Sequence, residues 1–175
     1  MTNRNALSSA PSPAVAALDQ IDFKILEILQ ADARRSARSI AREIDMSAGA
    51  ITERVAKLEA SGVIAGYRAE ISPQALGYDL EVFIGLQIEQ GVPLNDTIGL
   101  LSNIKEVTSI HIVTGQWDLL LHVRATNHRH LEQLLLGQIW EIPGFRHSET
   151  MLSLGQHEKP LNLTSEQTGL TEATD

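Results

Sequence analysis

Residues 45–64 read DMSAGAITERVAKLEASGVI, a helical period with Ile51, Val55 and Leu58 on one face. Its first turn, Ala48-Gly49-Ala50, is almost bare of side chains, although an interior glycine costs a helix roughly 1 kcal/mol relative to alanine. With the apolar stripe turned inward, Gly49, Ala50, Glu53, Ala56, Lys57 and Ala60 point outward, flanked by Thr52 and Arg54. Such a face suits close approach to a DNA duplex: small residues let the backbone enter a major groove, and first-turn amides favour phosphate. Thr52 can meet a thymine methyl or a base edge, and Glu53 can accept from cytosine N4. Arg38, Arg42, Arg54 and Lys57 are spaced for phosphate contacts, which give affinity without sequence information. The candidate DNA-contacting set is therefore Arg38, Arg42, Ser47, Ala48, Gly49, Ala50, Thr52, Glu53, Arg54 and Lys57. A plainer account also fits: small residues packed on a neighbouring helix, and arginines on a solvated face. Tri-helical units serve protein contacts as well as DNA.

The elements that must position this helix are well marked. Asp19 caps a first helix, with Asp22 three residues on and Leu18 and Phe23 at the staple positions. Ile21, Ile25, Ile28 and Leu29 form its apolar stripe. Ser36 caps a second helix with Ala37, Ile40, Ala41 and Ile44 on one side. Asp45-Met46 turns the chain, Ser47 caps the third helix, and Gly62 ends it with a residue suited to left-handed backbone. Three short helices with a tight turn between the last two match a helix-turn-helix. GVIAGYRAEIS then reads as a strand leaving that unit.

Beyond Pro73 the pattern changes. LEVFIGLQIE alternates as a strand, Pro93–Ile104 is an amphipathic helix, and VTSIHIV and WDLLLHVRA are strands joined at Gly115-Gln116. Asn127 caps a helix carrying Leu131, Leu134, Leu135 and Ile139, and FRHSETMLSL is a last strand. The order β-α-β-β-α-β is the ferredoxin-like split βαβ, so the fold class is α+β. A two-residue turn places Ile110, Ile112, Trp117, Leu119, Leu121 and Val123 on one face. His111, Val113, Asp118, Leu120, His122 and Arg124 take the other, a mixed surface of the kind that meets a partner subunit.

Charge divides along the same line. The net charge is −8, yet residues 18–68 hold eight basic and eight acidic side chains, while 69–175 hold five and fourteen. That asymmetry argues for two modules with different partners. No apolar run reaches the length of a membrane span, the N-terminus does not read as a signal peptide, and cytoplasm is the default expectation. Zero cysteines exclude disulfides and thiolate metal sites. The expected organisation is a disordered segment 1–17, a helix-turn-helix domain 18–64, a linker strand and connection 65–78, a ferredoxin-like domain 79–156 and a flexible tail 157–175.

LDQIDFKILEILQADAR followed by SIAREIDMSAGAITERVAKLEASGVIAGYRAEISPQALG resembles the Lrp/AsnC, or feast/famine, transcription regulators. The likeness continues through VTSIHIVTGQWDLLLHV to IPGFRHSETMLSL and covers nearly all of 18–156. One departure lies in the turn, where the family usually has glycine and this chain has Asp45, a residue that tolerates left-handed backbone better than most. The resemblance implies a winged-helix-like DNA-binding domain, homodimers built through linker strands and sheet faces, and higher rings such as octamers. It implies no cofactor but a small effector, usually an amino acid, held by Val113, Thr114, Gly115 and Gln116. Asp118 would face its α-ammonium, and Thr150 would complete the pocket; Asp118 also suits a simple turn-stabilising role. The effector acts by linkage, favouring one assembly over another.

Two rivals come from the histidines. Sirohaem decarboxylases resemble this fold, and His111 and His122 share a face where a porphyrin's carboxylates could be held. No catalytic motif surrounds them, and the favoured expectation is a regulator, not an enzyme. A metal site through His128-x-His130 is a poor chelate, because the two rings leave the helix on different sides.

Overall fold

A computed structural model describes residues 18–163, so the expectation for 1–17 and part of that for the tail lie outside the described residues. Contacts divide the chain into two units: residues up to 70 with the segment from 159, and residues 71–158.

The first unit is the expected three-helix arrangement, α1 Gln20–Ala31, α2 Ala37–Glu43 and α3 Ala48–Ala60. Each start is fixed by a side chain that relieves unsatisfied first-turn amides. Asp19 accepts from Ile21 and Asp22 N–H at 2.9 and 2.8 Å, and Asp22 returns the bond to Asp19 N–H at 3.1 Å, a capping box. Ser36 accepts from Ser39 N–H and Ser47 from Ala50 N–H, both at 3.2 Å. Between α2 and α3, Asp45 holds φ 55°. It takes the left-handed position directly, and Met46 N–H reaches back to the Ala41 carbonyl at 2.9 Å. Gly62, φ 77°, ends α3 as expected. Ile25, Ile40, Ala41, Ile51 and Leu58 form the buried centre.

The strand expected after α3 does not form: no ladder runs through 63–73. A strand is made by its hydrogen-bonded neighbour, and the described chain offers that segment none.

The second unit carries β1 Leu80–Ile88, α4 Leu94–Ser102, β2 Val107–Ile112, β3 Leu119–Ala125, α5 His128–Leu134 and β4 Phe145–Leu152. A wider turn, Leu135–Ile139, extends α5. The sheet is antiparallel in the order β2-β3-β1-β4, the ferredoxin-like arrangement. Val82, Ile84 and Leu86 of β1 and Leu119, Leu121 and Val123 of β3 point to one face and pack with Leu101, Leu134 and Ile139. Glu81, Phe83, Gly85 and Gln87, with Leu120, His122 and Arg124, alternate onto the other.

Trp117 departs from the expected face. The hairpin turns through Thr114–Gln116, and β3 begins only at Leu119. Trp117 instead folds over Gly85 on the opposite face and stacks on His147 with centroids 5.6 Å apart. A Cβ at residue 85 would stand 2.6 Å from the Trp117 ring, so glycine here makes room for the indole.

Gly85→Ala is expected to lower the unfolding free energy by about 1–3 kcal/mol through overpacking. Denaturant unfolding measures this. In a Trp117→Ala background the same substitution should cost far less.

Candidate nucleic-acid interface and effector loop

Helix α3 shows solvent a continuous strip of Ser47, Ala48, Gly49, Thr52, Glu53, Ala56 and Lys57. A Cβ built on Gly49 meets no atom within 4 Å. Gly49 is therefore not demanded by packing against α2, which removes the plainer account for this residue. Ala50 is half-buried and faces a cleft of about 570 Å³ with Leu18, Asp22 and Met46, rather than pointing fully outward as expected. Thr52 donates its hydroxyl to the Ala48 carbonyl at 2.9 Å, leaving oxygen lone pairs and a methyl to meet a ligand. Glu53 and Lys57 form an i,i+4 pair at 2.8 Å, and the Lys57 ammonium holds the Glu53 carboxyl below the usual carboxylate range. Both are largely exposed, so phosphate can compete for the lysine. Arg38 and Arg42 on α2 are exposed as well.

Arg54 is placed differently from the expectation of a phosphate contact. Its Nη1 lies 2.7 Å from Asp19 Oδ2 and 2.8 Å from Asp22 Oδ1. The guanidinium ties α3 to the N-terminus of α1, and two carboxylates already neutralise it. These partners, Asp22 first and then Asp19, push the guanidinium pKa further up. Burial alone would raise the Asp19 carboxyl. The Asp22 N–H, the Arg54 guanidinium and the Ile21 N–H outweigh it and hold Asp19 below its ordinary value. Spacing along α3 could not reveal this, because the partners lie 32 and 35 residues away.

The second candidate site is the β2–β3 connection. Gly115 has φ 116°, a conformation that favours glycine. Val113 N–H donates to the Asp118 carbonyl at 3.1 Å, and Asp118 N–H donates to the Leu86 carbonyl at 2.9 Å. Asp118 Oδ2 accepts from Ile88 N–H at 2.8 Å, and Gln87 Nε2 donates to the Gln116 carbonyl at 2.8 Å. The end of β1 thus pins the downstream shoulder at Gln116 and Asp118, and Asp118 in turn holds Val113, while Thr114, Gly115 and Gln116 stay exposed. Thr150 is not brought to this loop within one chain. It pairs with Ile84, four residues from Ile88, a separation of about 13 Å along the strand.

The histidines are engaged elsewhere. His122 Nε2 lies 2.7 Å from Glu81 Oε1 and its ring stacks on Phe83, on the same sheet face as His111. His130 spans from buried Glu106 to Thr126 at 3.0 and 3.1 Å, locking the start of α5 to the sheet. That engagement, invisible in sequence, takes both ring nitrogens of His130 away from a His128-x-His130 chelate.

Comparison with known proteins matches both units. The Winged helix-turn-helix DNA-binding family matches residues 18–65, and the Lrp/AsnC ligand binding domain matches residues 81–161. The HTH-type transcriptional regulator FL11 of Pyrococcus horikoshii is 34% identical over 146 residues, 83% of this chain and 95% of that protein. The chain belongs to the Lrp/AsnC family of transcriptional regulators. Regulatory protein AsnC of Escherichia coli is 31% identical over 137 residues, 78% of this chain and 90% of its own length. The solved structure of E. coli AsnC superposes with a TM-score of 0.78 at 28% identity, covering 84% of this chain and 99% of that one. The feast or famine regulatory protein from M. tuberculosis, complexed with L-methionine, superposes with a TM-score of 0.76 at 31% identity, covering 85% and 100%. Within the Lrp/AsnC frame, α3 is the second helix of the helix-turn-helix, and the β2–β3 loop lies in the ligand-binding domain. Among the described residues no helix is long and apolar enough to cross a membrane.

Two substitutions separate the roles on α3. Gly49→Ala should raise the unfolding free energy by about 0.5–1 kcal/mol, since alanine is the better helix former and meets open space. It should also weaken DNA binding several-fold in a fluorescence anisotropy titration; unchanged affinity would rule out close approach at this residue. Arg54→Ala should lower stability by about 1 kcal/mol while leaving the salt dependence of DNA binding unchanged. Asp19 has a folded pKa below its unfolded value, so its contribution is present above about pH 4 and is lost as pH falls through the folded value. Urea unfolding at neutral and acid pH should therefore show less acid sensitivity in Arg54→Ala than in the parent.

Proposed function

We propose that the protein is a sequence-reading DNA-binding regulator whose assembly responds to an amino acid. The observation that carries the DNA half is the open surface around Gly49, a first-turn glycine unexplained by internal packing at a position where helix-turn-helix proteins enter the major groove. Ser47, Ala48, Gly49 and Ala50 set the approach, Thr52 and Glu53 face the bases, and Arg38, Arg42 and Lys57 hold phosphates. Arg54 is assigned to the scaffold. Each phosphate contact removed should lower the slope of log K against log salt by about 0.9.

The effector half rests on the β2–β3 loop and on relatives solved as complexes with L-methionine. Val113, Thr114, Gly115 and Gln116 offer backbone groups to an amino acid's head. Asp118 keeps one oxygen on Ile88 N–H and presents the other to the α-ammonium. Thr150 completes the pocket from a second chain. The mixed sheet face of Glu81, Phe83, His122 and Arg124 pairs with the same face of a second copy, and dimers join into rings. Ligand that fits one assembly better shifts the geometry of the DNA-binding units. The relatives are named regulators, and nothing in the described residues favours a decarboxylase.

A thermal-shift screen of the twenty amino acids, with and without promoter DNA, tests the whole reading. Asp118→Asn then isolates the charge, because the amide oxygen can still accept from Ile88 N–H. The variant should keep its melting temperature and lose the response to the effector by tenfold or more, a loss of about 1.4 kcal/mol in coupling. An unchanged titration would remove Asp118 from the pocket.

A further inference from the structure

Gln30, on the exposed side of α1, addresses a peptide bond of the same unit that lies far away in sequence. With the amide oriented by its partners, its nitrogen donates to the Leu161 carbonyl at 3.2 Å and its oxygen accepts from Leu161 N–H at 2.8 Å. A primary amide carries the donor and acceptor pair that an extended backbone presents at one residue. Such a contact reads main chain and is indifferent to the side chain, and Leu161 leaves its own side chain 71% exposed. The expected flexible tail is thus held at this point.

The surface beside Gln30 explains why the tail lies there. Phe23, Leu26 and Leu29 of α1, with Val63, Ile64 and Tyr67 from the segment after α3, line an apolar cleft of about 430 Å³ whose remaining wall includes Leu161–Leu163. Val63 and Tyr67 are among the exposed large hydrophobic residues of the chain. Tyr67 is fixed as a wall by its hydroxyl, which donates to Glu59 Oε1 at 2.8 Å. Leu163 is half-buried against this surface. Pro160 precedes the contact, and its fixed φ and missing N–H keep the approach extended. No residue of α3 lines the cleft, so an occupied cleft leaves the DNA-reading strip clear.

We propose that this cleft is a peptide-binding groove whose occupant is the chain's own C-terminal segment around Leu161-Asn162-Leu163. The tail acts as a clasp over residues 63–68, the stretch that leads out of the helix-turn-helix and forms no strand of its own. Docking the tail stiffens that exit without covering the bases' approach, so events at the C-terminus can alter the freedom of the DNA-binding unit.

Amide hydrogen exchange on the full chain tests the clasp. Gln30→Ala removes both bonds from an exposed helix position, where alanine is a good helix former. Exchange in peptides spanning 61–70 and 159–163 should accelerate several-fold, while the α2–α3 core and the second unit stay protected. A chain ending at Glu158 should show the same acceleration in 61–70, and Leu163→Asp should reproduce it in the full-length chain. Exchange in 61–70 unchanged in all three would overturn the proposal; acceleration in the full-length variants and the shortened chain alike supports it.

Discussion

Helix α3 has to be held from one side only. Its outward strip cannot both grip the protein and face another molecule, so its anchorage falls to Ile51 and Leu58 underneath and to Arg54 at the flank. The pair of carboxylates that receives Arg54 is the same pair that caps α1. One small polar cluster thus starts the first helix and fixes the third against it. Everything proposed for the DNA-facing surface depends on that anchorage, because a strip of small residues has no grip of its own.

In the second unit β1 plays the corresponding part. Paired on both edges, it supplies Ile84 and Leu86 to the core, Gly85 as the bed for Trp117, and Gln87 and Ile88 as the fasteners of the β2–β3 loop. If the β2–β3 loop holds the effector as proposed, it loses little order on binding, because Gln116 and Asp118 are already tied to the central strand. The two ends of the unit are joined by the same logic at His130, where a ring between a buried carboxylate and Thr126 seats α5.

Local pattern made much of this legible. The caps at Asp19, Ser36, Ser47 and Asn127, the left-handed ends at Asp45 and Gly62, and the two apolar periods depend on neighbours within a few residues, and they stand where the sequence puts them. The failures share a different cause. By its helix position Arg54 reads as a phosphate contact, but its partners come from α1. The segment after α3 has strand composition, yet a ladder needs a neighbour that the described residues do not supply. Strict alternation puts Trp117 on the core face, whereas the hairpin widens and Gly85 opens the opposite face; a glycine inside an alternating strand is the signal for that close approach. Gln30 carried no signal, because a lone glutamine on a helix declares nothing about a backbone more than a hundred residues on.

The Gly85–Trp117 contact also constrains how such a chain can change over time. Two residues thirty-two positions apart occupy what is in effect a single volume, divided entirely in favour of one of them. Neither can be altered freely without the other: a larger residue at 85 is tolerable only after 117 has shrunk, and a smaller 117 leaves a hollow that a methyl at 85 would help fill. The pair is therefore expected to drift together among descendants of this sequence, large with small, and to carry the neighbouring β2–β3 loop along whenever it does.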